Sequence, residues 1–286
     1  MSSARRRRAA VLGCLAALSL LGTNVPAAVA TAGAPSAGAG ASDRTFSHPT
    51  VIDNRYLPLV PGTQFVLEGR VDDSPHQVVL VVTDLVKVIN GVRTVVLWDR
   101  DFSDGELAEA ELAFQAQDDG GTVWNFGEYP EEYEDGQFVG APSTWIDGID
   151  GAQAGIHMLA EPRVGTPSYV QGYSPTIDFF DVARVFKTDK RLCVGGQCYT
   201  GVLVIDEWSP LDPESGHQLK YYAPGVGNIK IAAAGGVQQE FLDLVSVSRL
   251  GEADLAQART AALRLDRRAY RFSDVYRSTP PAYQER

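Results

Sequence analysis

The sequence is poor in the residues that usually carry catalytic or metal chemistry. Its 286 residues include only four histidines, three cysteines and two methionines. No two histidines have the spacing of a metal site, and neither G-x-S-x-G nor H-E-x-x-H occurs. The chain also lacks the second Cys/His pair that would complete a structural zinc site. It therefore gives no signature of a serine hydrolase or of a zinc enzyme.

Positive charge is scarce as well. Lys and Arg number 25 against 36 Asp and Glu, for a formal net charge of -11. Nucleic-acid binding needs clustered Lys and Arg, and so does simple electrostatic attachment to anionic lipid, so both kinds of partner are disfavoured. After residue 30 no apolar run is long enough for a membrane helix.

The beginning of the chain is typical of a secretory signal peptide. Arg5–Arg8 form a cationic patch, Ala9–Leu21 are mostly apolar, and Val25–Ala30 end in the small-x-small pattern of a cleavage site. Export is therefore predicted, to the cell envelope or the medium. A lipid anchor on Cys14 is the alternative, but a lipidation cysteine closes the apolar run and Cys14 lies near its start.

The composition divides the chain into five predicted parts. Residues 1–30 are the signal peptide, and residues 31–47 are a flexible leader rich in Ala, Gly and Ser. Residues 48–250 form a β-barrel-like domain. Residues 251–269 form an amphipathic C-terminal helix, because their apolar residues have helical spacing. Residues 270–286 are predicted to be a frayed tail.

Cys193 and Cys198 are an even pair in a chain predicted to be exported. The residues between them include a Gly-Gly turn, which favours a disulfide that closes a small loop. A redox pair and half of a metal site are the alternatives. The four intervening residues do not match C-x-x-C, so the structural disulfide is preferred.

The dominant pattern is that of antiparallel strands. Asn90-Gly91 separates two β-branched runs, which is the strongest short-range signal for a type I′ hairpin. Residues 106–117 alternate between Ala, Leu or Phe and Glu or Gln, as a strand does. Because this segment is rich in Ala and Glu, a helix over Leu107–Phe114 is the competing interpretation. About ten such strands at hairpin spacing predict a mainly β fold, an antiparallel meander closed into a barrel or half-barrel.

Two segments resemble parts of uncharacterised secreted bacterial proteins. Asn54–Thr63 reads N-R-Y-L-P-L-V-P-G-T, and Lys220–Gly227 reads K-Y-Y-A-P-G-V-G. The resemblance implies a β-meander curled around a cavity, similar to the half-barrels of lipoprotein-carrier and lipocalin-like folds. It implies no reaction.

Negative charge is concentrated between residues 99 and 150, where fifteen Asp and Glu face a single Arg. Asp99–Glu106 resembles a calcium loop, with oxygen-bearing side chains followed by Asp-Gly. Its predicted ligands are Asp99, Asp101, Ser103, Asp104 and Glu106. The glycine falls one position late for an EF-hand and the twelfth position is Ala110, so a solvated hairpin turn is the alternative. The acidic segment Glu128–Asp135 is expected to be a charged sheet edge.

Aromatic residues give the stronger indication of a binding site. Inward-facing rings would line the cavity of a curled sheet. The predicted ligand-binding residues are Trp98, Trp124, Trp145, Trp208 and Tyr222. The alternative is that these rings only fill the core.

The sequence thus favours non-enzymatic binding of an apolar or amphipathic small molecule, without a cofactor. A carboxylate-based enzyme, such as a carbohydrate-active hydrolase or an isomerase, is the first alternative. It would need two carboxylates facing each other across a cleft, and Asp99/Asp101 or Asp206/Glu207 are candidates by residue type. A calcium-dependent structural protein of the envelope is the second alternative.

Overall fold

The computed structural model describes residues 40–285, which form fifteen β-strands, two α-helices and two short 3₁₀-helices, Ala41–Asp43 and Pro213–Ser215. The strands are β1 (Thr63–Val71), β2 (Ser74–Ile89), β3 (Val92–Ser103), β4 (Glu106–Gln117), β5 (Val123–Glu134), β6 (Gln137–Gly140), β7 (Trp145–Ile146), β8 (Gln153–Met158), β9 (Tyr169–Ser174), β10 (Phe179–Val194), β11 (Gln197–Trp208), β12 (His217–Ala223), β13 (Gly227–Ala234), β14 (Glu240–Arg249) and β15 (Tyr283–Gln284). The helices are α1 (Glu252–Phe272) and α2 (Asp274–Arg277). The predicted signal peptide and residues 31–39 of the predicted leader lie outside the described residues.

Twelve strands form a closed antiparallel barrel. Each pairs with its neighbour in the order β1, β14, β13, β12, β11, β10, β9, β8, β5, β4, β3 and β2, and β1 pairs with β2 to close the ring. Strands β6 and β7 pair with β5 outside this order, and β15 pairs with β2. The predicted mainly β fold, a barrel followed by a C-terminal helix, is confirmed.

Local turn chemistry sets much of the strand order. Asn90 and Gly91 both have positive φ, at 46° and 82°, and join β2 to β3 with Ile89 paired to Val92. Asp104 and Gly105 join β3 to β4 in the same way, at 52° and 81°. Both residues of a type I′ turn need positive φ, which Asn, Asp and Gly accept most readily. The segment from Glu106 to Gln117 is the strand β4 and not a helix.

The predicted disulfide is also present. Cys193 and Cys198 are bonded across the turn between β10 and β11, where they face each other in the strand register. The bond therefore closes the end of one hairpin, as a structural crosslink would.

Helix α1 packs on the outside of the barrel. The outward residues of β4, Ala110, Leu112, Phe114 and Ala116, share a buried apolar cluster with Ala262, Leu265, Ala269 and Tyr276. A sheet face that is covered by a helix is apolar because the helix removes it from water, as in a hydrophobic core. The opposite face of β4, which carries its Glu and Gln side chains, therefore points into the barrel. No helix in the described part of the chain is both long and apolar enough to cross a membrane.

The segment predicted to be a frayed tail is ordered as far as it is described. Helix α1 continues to Phe272, Tyr276 of α2 is buried, and β15 pairs with β2. Lys87 Nζ holds this segment by donating hydrogen bonds to Asp266 Oδ1 at 3.0 Å, Tyr270 Oη at 3.1 Å and the Pro280 carbonyl at 2.8 Å. The sequence pattern did not reveal this anchor, because Lys87 lies 179 to 193 residues away from its partners along the chain.

The described end of the predicted leader is likewise attached to the barrel. Phe46 packs edge-on against Phe126, with ring centroids 5.6 Å apart. Ser47 donates from its backbone N–H and its hydroxyl to the carboxylate of Asp119. These contacts attach Phe46 and Ser47, at the end of the predicted leader, to β5 and to the turn before it.

Candidate functional site

A cavity of about 70 Å³ lies inside the barrel. Its apolar lining comes from the segment before β1 and from inward positions of β1–β4 and β12. These residues are Leu57, Pro58, Leu59, Phe65, Leu67, Val78, Leu80, Leu97, Ala113 and Tyr222. Its ionisable lining is formed by Asp99, Glu111, His157 and Lys220. The cavity is thus amphipathic, and it exceeds the roughly 10–15 Å³ that one water needs.

The two segments that resemble secreted proteins meet at the mouth of this cavity. The Gly225 N–H donates to the Arg55 carbonyl at 2.7 Å, which joins the β12–β13 turn to the segment before β1. Leu57 and Pro58 from the first segment, and Tyr222 from the second, line the cavity together. Although 156 residues lie between them along the chain, the two motifs build one end of the barrel.

Asn54 fixes the first of these segments. Its Oδ1 accepts hydrogen bonds from the N–H groups of Tyr56 and Leu57, at 2.9 and 3.2 Å. Its Nδ2 donates to the carbonyls of Gly121 and Leu159, at 2.9 and 3.1 Å. A buried side chain that makes four hydrogen bonds specifies the path of the chain over the cavity, because each backbone group would otherwise be left unpaired.

The polar part of the inner wall is acidic. Leu97, Asp99 and Asp101 occupy alternate positions of β3, and Asp99 and Asp101 pair across the sheet with Glu111 and Glu109. The strand register places nine carboxyl groups of the described chain on inward positions around the ring: Asp99, Asp101, Glu109, Glu111, Glu128, Glu132, Asp181, Glu207 and Glu240. The solvated hairpin and charged edge expected for these acids are therefore corrected for Asp99, Asp101 and Glu128, which lie inside the barrel. Closure of the sheet turns their face inward, while α1 covers the apolar face.

Burial raises the pKa of most of these carboxyl groups. Removal from water raises the pKa of Asp99 to about 6, those of Asp181 and Glu240 to about 7, and that of Glu128 to about 8. For Glu128, hydrogen bonds from Asn125 and Trp145 oppose the effect of burial. The pKa values of Asp101, Glu109 and Glu111 are raised first by burial and then by neighbouring negative charge. The inner acids thus act on one another as a single electrostatic cluster.

Basic groups on the inner wall are few. Lys220 Nζ forms an ion pair with Glu207 Oε2 at 2.7 Å. Burial lowers the pKa of His157 to about 3, so its imidazole is neutral, and its Nδ1 is 2.8 Å from Gln115 Oε1. Burial also lowers the pKa of His76. Lys220 is therefore the inner-wall base that pairs directly with a carboxylate.

His76 forms the least satisfied part of this wall. Its side chain is fully buried, and its Nε2 lies 3.7 Å from Asp101 Oδ2 and 4.0 Å from Glu240 Oε1. Both distances exceed those of a hydrogen bond. Within the described chain both imidazole nitrogens and these two carboxylate oxygens have no hydrogen-bond partner, and neither has Gln115 Nε2. Buried polar groups are almost always paired, so these atoms define a site that can take a polar ligand group.

The structure does not bring the five predicted ligand-binding aromatic residues together. Tyr222 lines the cavity, and Trp145 Nε1 donates to Glu128 Oε2 at 3.2 Å. Trp98, Trp124 and Trp208 lie on outward positions. Successive side chains of a strand point to opposite faces. The neighbours of each of these tryptophans point inward, so its indole points outward and not into the cavity as predicted.

The outward tryptophans have local partners instead. Trp98 lies under the Arg100 guanidinium, 3.9 Å from its ring centroid. Trp124 donates from its indole N–H to Asp118 at 2.9 Å, and Trp208 stacks on His217. These three tryptophans do not belong to the cavity lining.

The predicted calcium ligands are divided by the turn between β3 and β4. Asp99 and Asp101 point into the barrel, Ser103 ends β3, and Asp104 and Glu106 are exposed at the turn. In the described residues no group of three or more His, Cys, Asp or Glu side chains is arranged to hold a metal ion. The turn therefore offers no wrapped cation site, and calcium binding stays a prediction.

Of the two carboxylate pairs proposed by residue type, Asp99 and Asp101 share the inward face of β3, whereas Asp206 and Glu207 are separated. Asp206 faces outward, where it accepts hydrogen bonds from Arg184 and lies 2.7 Å from His217 Nδ1, whereas Glu207 faces inward. The pair that does share the cavity is Asp99 and Glu111. Sequence reasoning missed Glu111, His76, Lys220 and Glu240. One signal could have found Glu111: β4 has one charged and one apolar face, and a helix that packs on the barrel covers the apolar face, which turns the charged face inward.

Two solved structures are similar to this chain. One is a presumed exported protein with a YmcC-like fold from Bacteroides fragilis, with 12% identity and a TM-score of 0.40 over 68% of this chain and 99% of that one. The other is a presumed lipoprotein from Parabacteroides distasonis, with 12% identity and a TM-score of 0.39 over 68% of this chain and 100% of that one. No protein-family model and no curated protein matches the chain. At this identity and TM-score the likeness assigns no function.

Proposed function

We propose that the protein is exported and binds a small apolar or amphipathic molecule inside its barrel without changing it chemically. Export follows from the signal-peptide pattern of residues 1–30. The observation that carries the binding proposal is the amphipathic cavity, whose apolar lining adjoins buried polar atoms that have no partner in the described chain. Ligand sites combine mostly apolar walls with a few polar groups in this way.

The size of the cavity limits the part of the ligand that it holds. About 70 Å³ corresponds to roughly five water-sized spaces. A short apolar chain or a small ring fits this volume, and a larger ligand would extend through the mouth beside Leu57 and Pro58. The same volume disfavours full enclosure of a drug-sized ligand, which needs about 300 Å³ or more.

Native mass spectrometry tests this proposal directly. The protein is purified without denaturation from its own culture, and its mass is compared with that of the polypeptide. We expect an additional mass that is lost on unfolding. Ala113→Leu fills the cavity, because Ala113 is buried in its lining, and should abolish the additional mass while the protein still unfolds cooperatively. An unliganded wild type, or retention of the mass in the variant, would reject the barrel interior as the site.

A carboxylate-based enzyme is the second candidate, and one observation favours it. Asp99 and Glu111 are directly paired across β3 and β4, and both line the cavity. Side chains directly opposite each other in antiparallel strands have Cβ atoms about 4.5–5.5 Å apart, so one carboxyl group could donate a proton while the other accepts one. Burial raises both pKa values, which suits acid–base chemistry near neutral pH.

Turnover of nitrophenyl glycosides tests the hydrolase form of this candidate. We expect activity in the wild type that Glu111→Gln removes and that Glu106→Gln, at the exposed β3–β4 turn, retains. Equal release by wild type and Glu111→Gln, or release no faster than in buffer, would discard it.

A further inference from the structure

Beyond the apolar lining of the cavity, the most informative feature is the negative charge of the inner wall of the barrel. In the described part of the chain, nine carboxyl groups face the interior, and Lys220, which faces it too, is already paired with Glu207. The charges of Asp99 and Glu240 act on Asp101 and on His76, and the charge of Asp99 also acts on Glu240. Buried carboxylates in such number are costly unless they are protonated or meet a cation.

The unpaired atoms show what kind of group would complete this wall. Asp101 Oδ2 and Glu240 Oε1 are buried acceptors without a donor, on either side of His76. Both lie too far from His76 Nε2 for a direct hydrogen bond. A protonated amine carries up to three N–H donors and one positive charge, so it would satisfy both acceptors and offset the charge of the cluster. An anionic head group would meet repulsion from the same oxygens.

The position of these atoms relative to the apolar lining indicates the rest of the ligand. Val78 lines the cavity and lies two residues from His76 on the same face of β2. Asp99 lines the cavity and lies two residues from Asp101 on β3. The acidic part of the inner wall around His76 and Asp101 therefore adjoins the apolar space beside Phe65, and a single molecule could reach both.

We propose that the ligand is an amphipathic amine whose ammonium group binds between Asp101 and Glu240 while its apolar part lies among the leucines of the cavity. This inference rests on the proposed binding function and specifies its ligand class. An unprotonated imidazole nitrogen of His76 accepts a hydrogen bond from the same ammonium group. The positive charge of Lys220 is offset by its ion pair with Glu207, at 2.7 Å.

Isothermal titration with three probes of equal chain length tests the inference. Hexylammonium, hexan-1-ol and hexanoate are titrated into the purified protein at pH 5 and pH 8. We expect hexylammonium to bind about tenfold or more tightly than the other two at pH 8, the difference that one charge-assisted hydrogen bond gives. Its affinity should fall at pH 5. The acids of the inner wall gain protons as the pH falls. The titratable groups of that wall are Asp99, Asp101, Glu109, Glu111, Glu128, Glu132, Asp181, Glu207, Glu240, His76, His157, Tyr169 and Lys220.

A variant pair makes the test specific to the head group. Asp101→Asn/Glu240→Gln should weaken hexylammonium about tenfold and leave hexan-1-ol unchanged, whereas Glu106→Gln should change neither. An unfolding temperature equal to or above that of wild type shows that the double variant is folded. Equal affinity for the three probes, or tightest binding of hexan-1-ol or hexanoate, overturns the amine inference and leaves the binding function intact. Binding of none of the three counts against both.

Discussion

Glu240→Gln is expected to stabilise the protein at pH 8 and to have little effect at pH 4. Burial raises the pKa of Glu240 from 4.5 to about 7 in the folded chain, although His76, Lys220 and a hydrogen bond from Gln218 favour its ionised form. Because each pKa unit corresponds to about 1.4 kcal/mol, a rise of this size costs the folded state about 3 kcal/mol once the carboxyl group is ionised. A neutral amide in the same place does not carry this cost.

The sign of the pH dependence follows from the direction of this rise. The folded state keeps a proton on Glu240 between pH 4.5 and about 7, where the unfolded chain has lost it. The contribution of this proton to stability is complete below pH 4.5 and is lost as the pH rises through 7. The other inner acids add to the same slope, so the informative quantity is the difference between variant and wild type at each pH.

Urea unfolding at pH 4 and pH 8 measures this difference. We expect Glu240→Gln to exceed wild type by about 1–3 kcal/mol at pH 8 and to match it within about 0.5 kcal/mol at pH 4. Glu106→Gln, at the exposed β3–β4 turn, is the control and should match wild type at both pH values. A variant that is less stable than wild type at pH 8, or one that gains equally at both pH values, would refute a buried, costly carboxyl group at this position.

Four further outcomes follow from particular contacts. Lys87→Met should lower the free energy of unfolding by about 3–5 kcal/mol in urea, because it leaves Asp266 buried without its cation. Asn54→Ala should cost about 2–3 kcal/mol in the same assay, since it removes four buried hydrogen bonds at the cavity mouth. Cys198→Ser should cost about 2 kcal/mol, because the loop that it shares with Cys193 is short. Calcium or a chelator should leave the unfolding temperature unchanged, because the turn between β3 and β4 divides the predicted ligands; a calcium-dependent rise would restore the cation site.

The features that the sequence could predict depend on neighbouring residues. Asn90-Gly91 encodes its hairpin locally, and Cys193 and Cys198 meet across a turn of their own. The alternation of residues 106–117 identifies a strand because its period is two. It does not say which face points inward, since that depends on which surface α1 covers. For this reason Trp98 was expected to face inward and faces outward, and the alternative of a solvated turn did not hold for Asp99 and Asp101.

The cavity mouth was predictable in part. Both motif segments could be recognised, and a curled sheet around a cavity was expected from them. Their contact, through Gly225 and Arg55, could not be inferred from spacing, because it depends on closure of the whole ring. Lys220 was quoted as part of a motif, yet its pairing with Glu207 on the inner wall also requires the three-dimensional register.

The protein contains its own comparison between a structural polar network and a binding site. On the outside of the barrel, Lys87 is fully buried and its ammonium meets three acceptors, among them Asp266, which also accepts from the Tyr276 hydroxyl. This is the completeness expected of polar groups that serve the fold. On the inside, His76 and Asp101 are equally buried, yet both imidazole nitrogens and one carboxylate oxygen have no partner in the described chain. The outer network has all its hydrogen bonds, whereas the inner one contains buried polar atoms without a partner. Departures from the rule that buried polar groups are paired concentrate at functional sites. The inner wall is therefore the place where a ligand has most to contribute.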